Sequence, residues 1–356
     1  MKKTIGVLGS GNWGTTLANL IAQRGQSVLL WSRNPSTVQE INHSKTNQKY
    51  TPGLKILDSI HATSSMKEVA ESCELIFVVV PSKVFREVSQ ELGTYVSGDQ
   101  ILVSGTKGIE NKTFRMMCDI LKEETCCKKV GALSGPNIAT EIIQGDPSGS
   151  VIASHYNEVI ERVMGALQQP LFKMYGNKDV KGVEIGGALK NIIAIASGIA
   201  TGLHLGNNSK AFLISRGIVE ISRYGKFFGA DPKTFFGLSG IGDLMATCYS
   251  EHSRNNTFGR KLASGQTMDD ILKASNMVIE GIYTVQAVQA LAQKFNIFMP
   301  ISAGIYRVLY ENANLKEVIR DLMSVRVTYE SEDFKEDVSH ITHMLVNKYP
   351  IPEHFL

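Results

Sequence analysis

The sequence predicts an α/β fold, with a doubly wound, mostly parallel sheet in its N-terminal part and an all-α C-terminal domain. Short β-rich runs alternate with helical patterns through the first half, which is typical of βαβ units. From about Glu184 onward the β-rich runs fade and long helical segments dominate. The 356 residues also exceed what one hydrophobic core usually organises. We therefore expect two domains, residues 1–185 and residues 186–356.

The strands of the first domain are predicted from apolar runs bounded by turn residues. They are expected at residues 4–8, 27–31, 75–80, 101–103, 130–133 and 150–153. Helical spacing of apolar residues between these runs predicts helices at 84–92, 113–123 and 156–167. In the second domain, helices are expected at 185–203, 210–224, 268–274, 284–295 and 301–310.

One apolar segment, residues 185–203, approaches the length that crosses a membrane, with Lys190 as its only formal charge. Its glycines, Ser197 and Thr201 are small residues that suit close packing against other helices. We therefore interpret this segment as a buried helix and expect no membrane span.

Composition and charge indicate a protein that acts on small molecules. The net charge of +3 gives no reason to expect a nucleic-acid or membrane partner. Five cysteines without CxxC spacing predict neither a disulfide framework nor a metal site, and the adjacent Cys126 and Cys127 are interpreted as surface thiols. We expect a cytoplasmic protein that binds no metal, with a homodimer as the candidate assembly because it is the commonest symmetric one.

A glycine-rich motif follows the first predicted strand. Gly9, Gly11 and Gly14 form a GxGxxG sequence that opens a helical pattern. Such glycines permit a tight turn and a close approach of the backbone to a pyrophosphate, and the helix N-terminus attracts its negative charge. This strand-then-helix context favours a Rossmann-type dinucleotide site over a glycine-rich turn without a ligand.

The residues after the second predicted strand bear on the choice of cofactor. NAD-selective enzymes usually carry an acidic residue there, whereas this chain has Ser32, Arg33 and Asn34. Arg33 is suited to a 2′-phosphate, although a solvated loop cation is the alternative. We expect NADP(H), NAD(H) or both as cofactors, with NADP(H) accepted.

Two further strands are followed by polar turns. Lys107 lies between glycines after one strand, and Gly135 and Asn137 follow another. Ligands in open α/β sheets bind at the carboxyl ends of the strands, which makes Lys107 a candidate for contact with a phosphate or the nicotinamide rather than a surface lysine. Asn137 is expected to cap the helix at 138–143, to contact the substrate, or to do both.

Lys190 stands inside the most apolar helix of the chain. Burial lowers the pKa of a lysine, as a general base near neutral pH requires, although a structural ion pair or a snorkelling side chain is the alternative. Asp243 follows a glycine-rich loop and is interpreted as either a helix cap or a functional carboxylate beside Lys190, with Thr247 one turn later. Ser253, Arg254 and Asn255 follow as a forked cation between two polar side chains, which suits a phosphate unless they form a surface loop.

Motifs in this order resemble the NAD(P)-dependent glycerol-3-phosphate dehydrogenase family, up to about residue 325. They are GSGNWG, GTKG, SGPNIA, GALKN, the segment 207–216, FFGLSGIGDLMATC, SRN and VIEG. The resemblance implies an enzyme that interconverts glycerol 3-phosphate and dihydroxyacetone phosphate and that supplies glycerol 3-phosphate for phospholipid synthesis. The tail beyond residue 325 is assigned no function.

The resemblance also implies roles for individual residues. Lys190 would be the proton acceptor and also bind the substrate. The other substrate contacts implied are Lys107, Gly135, Asn137, Asp243, Ser253, Arg254 and Asn255. The cofactor contacts implied, besides the three motif glycines, are Asn12, Trp13, Arg33, Lys107, Ala139, Arg254, Val278 and Glu280.

Two other interpretations remain at this point. One is a hydroxyacid dehydrogenase that resembles 6-phosphogluconate dehydrogenase, which also pairs a helical second domain with a catalytic Lys-Asn pair. The other is a dinucleotide sensor that kept the fold and lost the chemistry. The presence of both Lys190 and Asp243 disfavours the sensor.

Overall fold

A computed structural model gives the structure of residues 4–274 and 278–324. The tail after residue 325 lies outside the described residues. Eight strands form one sheet: β1 (Ile5–Leu8), β2 (Val28–Trp31), β3 (Ile60–Thr63), β4 (Leu75–Val78), β5 (Ile101–Ser104), β6 (Val130–Ser134), β7 (Ser148–Ala153) and β8 (Phe172–Asn177). Their order is β3-β2-β1-β4-β5-β6-β7-β8, and all neighbours are parallel except β6 and β7.

Helices cover both faces of this sheet. They are α1 (Asn12–Gln23), α2 (Pro35–Ser44), α3 (Met66–Ser72), α4 (Phe85–Gly93), α5 (Met117–Glu124), α6 (Ala139–Gln144) and α7 (Asn157–Leu167). Successive strand residues enter different apolar clusters: Val7 and Phe77 lie in the cluster with α1 and α7, while Leu8 and Val78 lie in the cluster with α3, α4 and α5. This alternation buries both faces and explains the continuous apolar runs of the central strands.

Helices make up the rest of the described chain, apart from turns. They are α8 (Val180–Gly202), α9 (Asn207–Phe227), α10 (Asp243–Tyr249), α11 (Arg254–Ala263), α12 (Met268–Ala274), α13 (Glu280–Phe295), α14 (Pro300–Tyr310) and α15 (Leu315–Ser324). Short helical turns at Ser82–Val84, Pro232–Phe236 and Leu238–Gly242 connect longer elements. Helix α8 lies at the centre, where α9, α10, α11 and α13 pack against it.

Small residues let these helices approach α8 closely. A Cβ added at Gly198 of α8 would lie 2.0 Å from the carbonyl oxygen of Asn256, and one at Gly259 of α11 would lie 2.1 Å from that of Ile195. Although α8 is long and apolar enough to cross a membrane, 94% of its most apolar window is buried inside the protein. Its composition therefore matches its place in the core of the helical region.

The α/β fold with a mostly parallel sheet and a helical C-terminal region is confirmed. The prediction missed β3 and β8, which form the two edges of the sheet and bury only alternate side chains. It placed the start of α5 too early, and it took Cys127 for a surface thiol, whereas this thiol is buried beside exposed Cys126. The division at residues 185 and 186 stays a prediction; the last strand ends at Asn177 and α8 begins at Val180.

Candidate active site

The glycine-rich loop between β1 and α1 has the geometry that a pyrophosphate requires. Gly9 has a φ of +118°, and a Cβ on it would lie 2.3 Å from the Val79 carbonyl oxygen. A Cβ on Gly14 would lie 1.9 Å from the Gly9 carbonyl oxygen, so only glycine lets α1 pack so closely. At Gly11, by contrast, a Cβ would meet nothing within 4 Å. The loop therefore opens onto free space at the N-terminus of α1, which fits a dinucleotide phosphate.

Three expected cofactor residues adjoin this loop. Asn12 and Trp13 form the first positions of α1, where Asn12 is exposed. Arg33 is exposed immediately after β2, and its neighbour Ser32 accepts a hydrogen bond of 2.7 Å from the Ser10 hydroxyl. This bond brings the start of the Arg33 loop against the glycine-rich loop, so that Arg33 is available to a nucleotide bound there.

Lys107 extends from the loop after β5 to α10 in the helical region. Its Nζ donates hydrogen bonds to the Gly135 carbonyl oxygen at 2.9 Å and to Asp243 Oδ2 at 2.5 Å. Gly135 follows β6 with a φ of +144°, and a Cβ there would lie 3.0 Å from the Ser150 Cα. Residues at the carboxyl ends of two neighbouring strands thus meet a carboxylate from α10.

Lys190 reaches the same carboxylate from the middle of α8. It is only 7% exposed, and its Nζ donates hydrogen bonds to Asp243 Oδ1 and, at 2.6 Å, to the Thr247 hydroxyl. Asp243 is itself 1% exposed, and Thr247 in turn donates to the Asp243 carbonyl oxygen at 2.7 Å. One buried carboxylate therefore joins two lysines. The alternative that Asp243 is only a helix cap is wrong, since Gly242 occupies the cap position and the Asp243 carboxylate bonds to Lys107 and Lys190.

Burial is the main cause of an unusual pKa at Lys190. Desolvation lowers the pKa of this ammonium group from 10.5 to about 7. Asp243 opposes the shift by favouring the charged form, and the positive charge of Lys107 adds to it. Lys190 consequently exchanges its proton in the pH range where a general base works.

The backbone around these groups is held by close packing. Asp179 caps α8 by accepting a hydrogen bond of 2.9 Å from the Gly182 amide. A Cβ on Gly186 would lie 2.5 Å from the Ser239 carbonyl oxygen, and one on Gly240 would lie 2.1 Å from that of Phe235. The glycine-rich segment before Asp243 therefore lies directly on α8, one turn away from Lys190.

Ser253, Arg254 and Asn255 begin a helix and are not the surface loop that was the alternative. Ser253 caps α11 by accepting a hydrogen bond of 3.3 Å from the Asn256 amide. Asn255 donates to Asn191 Oδ1 at 2.9 Å and accepts from the Gly281 amide at 3.0 Å. Through Asn191, which follows Lys190, the start of α11 is fixed beside the lysine.

A second contact joins the helical region to the region of the sheet. Arg254 donates a hydrogen bond of 3.0 Å to the Val278 carbonyl oxygen. Glu280 accepts hydrogen bonds from the backbone amide of Ser82, at 3.1 Å, and from its hydroxyl. Desolvation raises the pKa of Glu280. The structure thus brings Arg254, Val278 and Glu280 together, and it adds Ser82, which sequence reasoning missed because a lone serine in a turn gives no signal.

The prediction that Asn137 caps the following helix is wrong. Helix α6 starts at Ala139 with Ile138 in the cap position and no side-chain cap bond. The Asn137 amide instead donates to the Gly149 carbonyl oxygen at 3.3 Å, and its Oδ1 accepts from the Ser150 hydroxyl at 3.1 Å. Ala139 is buried at the start of α6, which packs against α1. Both residues stay near the carboxyl end of β6.

The arrangement has the parts of a site for proton transfer to or from a bound phosphate ester. It offers an amine that titrates near neutrality, a second lysine, a helix N-terminus carrying an arginine, and a glycine-rich loop. An anion is attracted by Lys107, Arg254 and the N-terminus of α11.

Comparisons with known proteins give the same picture over most of the chain. Residues 4–160 match the family described as NAD-dependent glycerol-3-phosphate dehydrogenase N-terminus, and residues 179–320 match the C-terminus of that family. A glycerol-3-phosphate dehydrogenase [NAD(P)+] from Staphylococcus haemolyticus is 42% identical over 322 residues, which cover 90% of this chain and 97% of the relative.

Solved structures of similar proteins share the fold. A glycerol-3-phosphate dehydrogenase from Coxiella burnetii aligns with a TM-score of 0.87 and 35% identity, over 90% of this chain and 99% of the other. One from Saccharomyces cerevisiae aligns with a TM-score of 0.78 and 27% identity, over 89% and 98% of the two chains.

Proposed function

The chain belongs to the NAD-dependent glycerol-3-phosphate dehydrogenase family, and from that premise we propose how its residues carry out the reaction. It is an NAD(P)-dependent oxidoreductase that acts on a CH–OH group and interconverts glycerol 3-phosphate and dihydroxyacetone phosphate. The observation that carries the mechanism is the burial of the Lys190 amine against Asp243 and Thr247, which lowers its pKa toward neutrality.

Lys190 is the proposed general base and acid. In oxidation its neutral amine takes the proton of the C2 hydroxyl, and in reduction its ammonium group returns a proton to the C2 oxygen. Asp243 and Thr247 accept hydrogen bonds from Nζ and so hold this nitrogen in one direction. Lys107, which shares Asp243, is placed to stabilise negative charge on the same oxygen.

The substrate phosphate is proposed to bind at the start of α11. Arg254 is exposed there, at the first position of the helix, while Ser253 and Asn255 fix the backbone around it. Binding energy from this remote phosphate orients C2 toward Lys190. The remaining proposed substrate contacts, Gly135 and Asn137, lie at the carboxyl end of β6 and near Lys107.

The dinucleotide is proposed to lie along the carboxyl ends of the strands. When bound, its nicotinamide ring accepts or donates the hydride. The residues that would hold it are Gly9, Gly11, Asn12, Trp13, Gly14, Arg33, Lys107, Ala139, Arg254, Val278 and Glu280. Because Arg33 is exposed beside the glycine-rich loop, we propose that it binds the 2′-phosphate of NADP(H).

The proposed roles of the two domains follow the change from an α/β to an all-helical architecture along the chain. We propose a dinucleotide-binding domain at residues 1–185 and a substrate-binding and catalytic domain at 186–356. In the reducing direction the product is glycerol 3-phosphate, and we propose that the protein is a cytoplasmic enzyme that supplies it for phospholipid synthesis. The proposed assembly is a homodimer.

A spectrophotometric assay of the purified protein tests this proposal. Dihydroxyacetone phosphate with NADPH, and separately with NADH, should give turnover that requires the substrate phosphate. Faster turnover of a sugar-acid substrate such as 6-phosphogluconate would favour the alternative dehydrogenase. Cofactor binding without turnover of any substrate would favour a sensor and contradict the proposed chemistry.

A further inference from the structure

Asn47 lies in the loop between α2 and β3 and contacts the glycine-rich loop on its buried side. It is completely buried, and its side-chain amide donates hydrogen bonds to the Ser10 carbonyl oxygen at 2.8 Å and to the Thr15 hydroxyl at 2.9 Å. Thr15 also donates to the Ser10 carbonyl oxygen, at 3.1 Å. Both amide hydrogens of Asn47 are thereby used, and the Ser10 carbonyl receives two hydrogen bonds.

These bonds fix the direction of one peptide unit. In a trans peptide the carbonyl and the following N–H point in opposite directions. Since the Ser10 carbonyl is held toward the buried side of the loop, the Gly11 N–H is turned to the other side. The loop is also uncrowded at Gly11, where a Cβ would meet nothing within 4 Å.

We propose that Asn47 is a positioning residue for dinucleotide binding, because it holds the Ser10–Gly11 peptide with its N–H directed at the cofactor pyrophosphate. The inference rests on the proposed cofactor site. The main-chain carbonyl oxygen of Asn47 accepts a hydrogen bond of 2.8 Å from the Thr51 amide, which anchors the loop that carries Asn47. Asn47 acts through the glycine-rich loop and not by touching the cofactor.

Asn47→Leu is the variant that tests this role. Leucine keeps the branched shape but removes both donated hydrogen bonds. Loss of hydrogen bonds to a loop that binds a charged group should raise the Kd for NADH and NADPH by about threefold to tenfold. The value of kcat at saturating cofactor should stay within about twofold, because Lys190 is untouched.

Asn42→Leu is the matched control. Asn42 donates to the Ala62 carbonyl oxygen at 2.9 Å and accepts from the Ala62 amide at 2.8 Å, so its loss also removes two hydrogen bonds from the first domain. It is bonded to β3 and not to the glycine-rich loop. Its replacement should lower Tm without changing the Kd for NADH.

The Kd is measured by the fluorescence of NADH titrated with protein, independently of turnover. A rise in Kd for Asn47→Leu but not for Asn42→Leu supports the proposal. An unchanged Kd in Asn47→Leu, or an equal rise in both variants, overturns it. If Asn47→Leu does not fold, Thr15→Val decides, because it removes the other donor to Ser10; its Kd should rise by about twofold to threefold, and an unchanged value overturns the proposal. Failure of the wild-type protein to bind NADH would instead contradict the proposed function.

Discussion

Replacing Lys190 by methionine removes the proposed base while keeping a side chain of similar length. Lowering the pKa of Lys190 from 10.5 to about 7 corresponds to about 5 kcal/mol against its charged form. Both the neutral and the charged form of the wild-type amine are therefore accessible near neutral pH. For oxidation, which needs the neutral amine, kcat/KM should rise about tenfold per pH unit up to about 7 and then level off. For reduction, which needs the ammonium group, it should fall above that pH.

Lys190→Met should lower kcat by about 10²- to 10⁴-fold, equivalent to about 3 to 5.5 kcal/mol in the barrier. The pH dependence near 7 should disappear with it, while the Kd for NADH changes by less than about twofold. The assay is steady-state turnover in both directions over about two pH units on either side of 7.

Lys181→Met is the control on the same helix. Lys181 is exposed, and its Nζ donates a hydrogen bond of 3.3 Å to the Phe228 carbonyl oxygen. This variant should keep the wild-type rate and pH profile. Near-normal turnover by Lys190→Met, or persistence of its pH dependence near 7, would refute the assignment of Lys190 as the base.

Three other changes test separate parts of the structure. Thr247→Val removes the hydroxyl that accepts a hydrogen bond of 2.6 Å from Lys190, so the pKa of Lys190 should fall further. The kcat for reduction should then drop about tenfold, and the midpoint of the pH profile should move to lower pH. An unmoved midpoint would contradict this role of Thr247. Arg33→Asp should lower the ratio of kcat/KM for NADPH to that for NADH by about tenfold to a hundredfold, and an unchanged ratio removes Arg33 from the 2′-phosphate. Glu184 accepts a hydrogen bond of 2.9 Å from the Cys118 amide, and burial raises its pKa from 4.5 to about 7. The folded state thus holds a proton that the unfolded chain releases, and about 3 kcal/mol of stability present below pH 4.5 is lost as the pH rises to about 7. Glu184→Gln should remove this loss in denaturant titrations at about pH 4.5 and about pH 8, and an equal loss in both proteins would contradict it.

The sequence predicted the strands that are buried on both faces but not those at the edges. Central strands such as Leu75–Val78 are continuous apolar runs, because both faces of the sheet are covered. At an edge, Ile60–Thr63 buries only alternate residues, and four residues are too few for the alternation to stand out from a loop. The central strands were therefore predicted and the edge strands missed because they differ in burial, and not because they differ in β-propensity.

The candidate site was predictable where one segment carries unusual chemistry. A lysine in an apolar helix stands out by itself, as Lys190 does. The sequence does not show which groups pair with Lys190, since Asp243 lies 53 residues later and Lys107 lies 136 residues before Asp243. Asn47 gave no signal at all, because a polar residue in a polar loop is ordinary until packing encloses it.

In the proposed mechanism, the carboxylate of Asp243 shared by two lysines lets one site serve both directions of the reaction. With both lysines charged, the buried group formed with Asp243 carries one net positive charge, and with Lys190 neutral it carries none. Burial favours the neutral state and a nearby anion favours the charged one. A phosphate ester at the proposed Arg254 site would bring negative charge toward the cluster and so offset part of the cost of protonating Lys190. A pKa near neutrality in the free protein then leaves both the base and the acid forms accessible, which an isolated lysine in an apolar helix, without Asp243, would not allow.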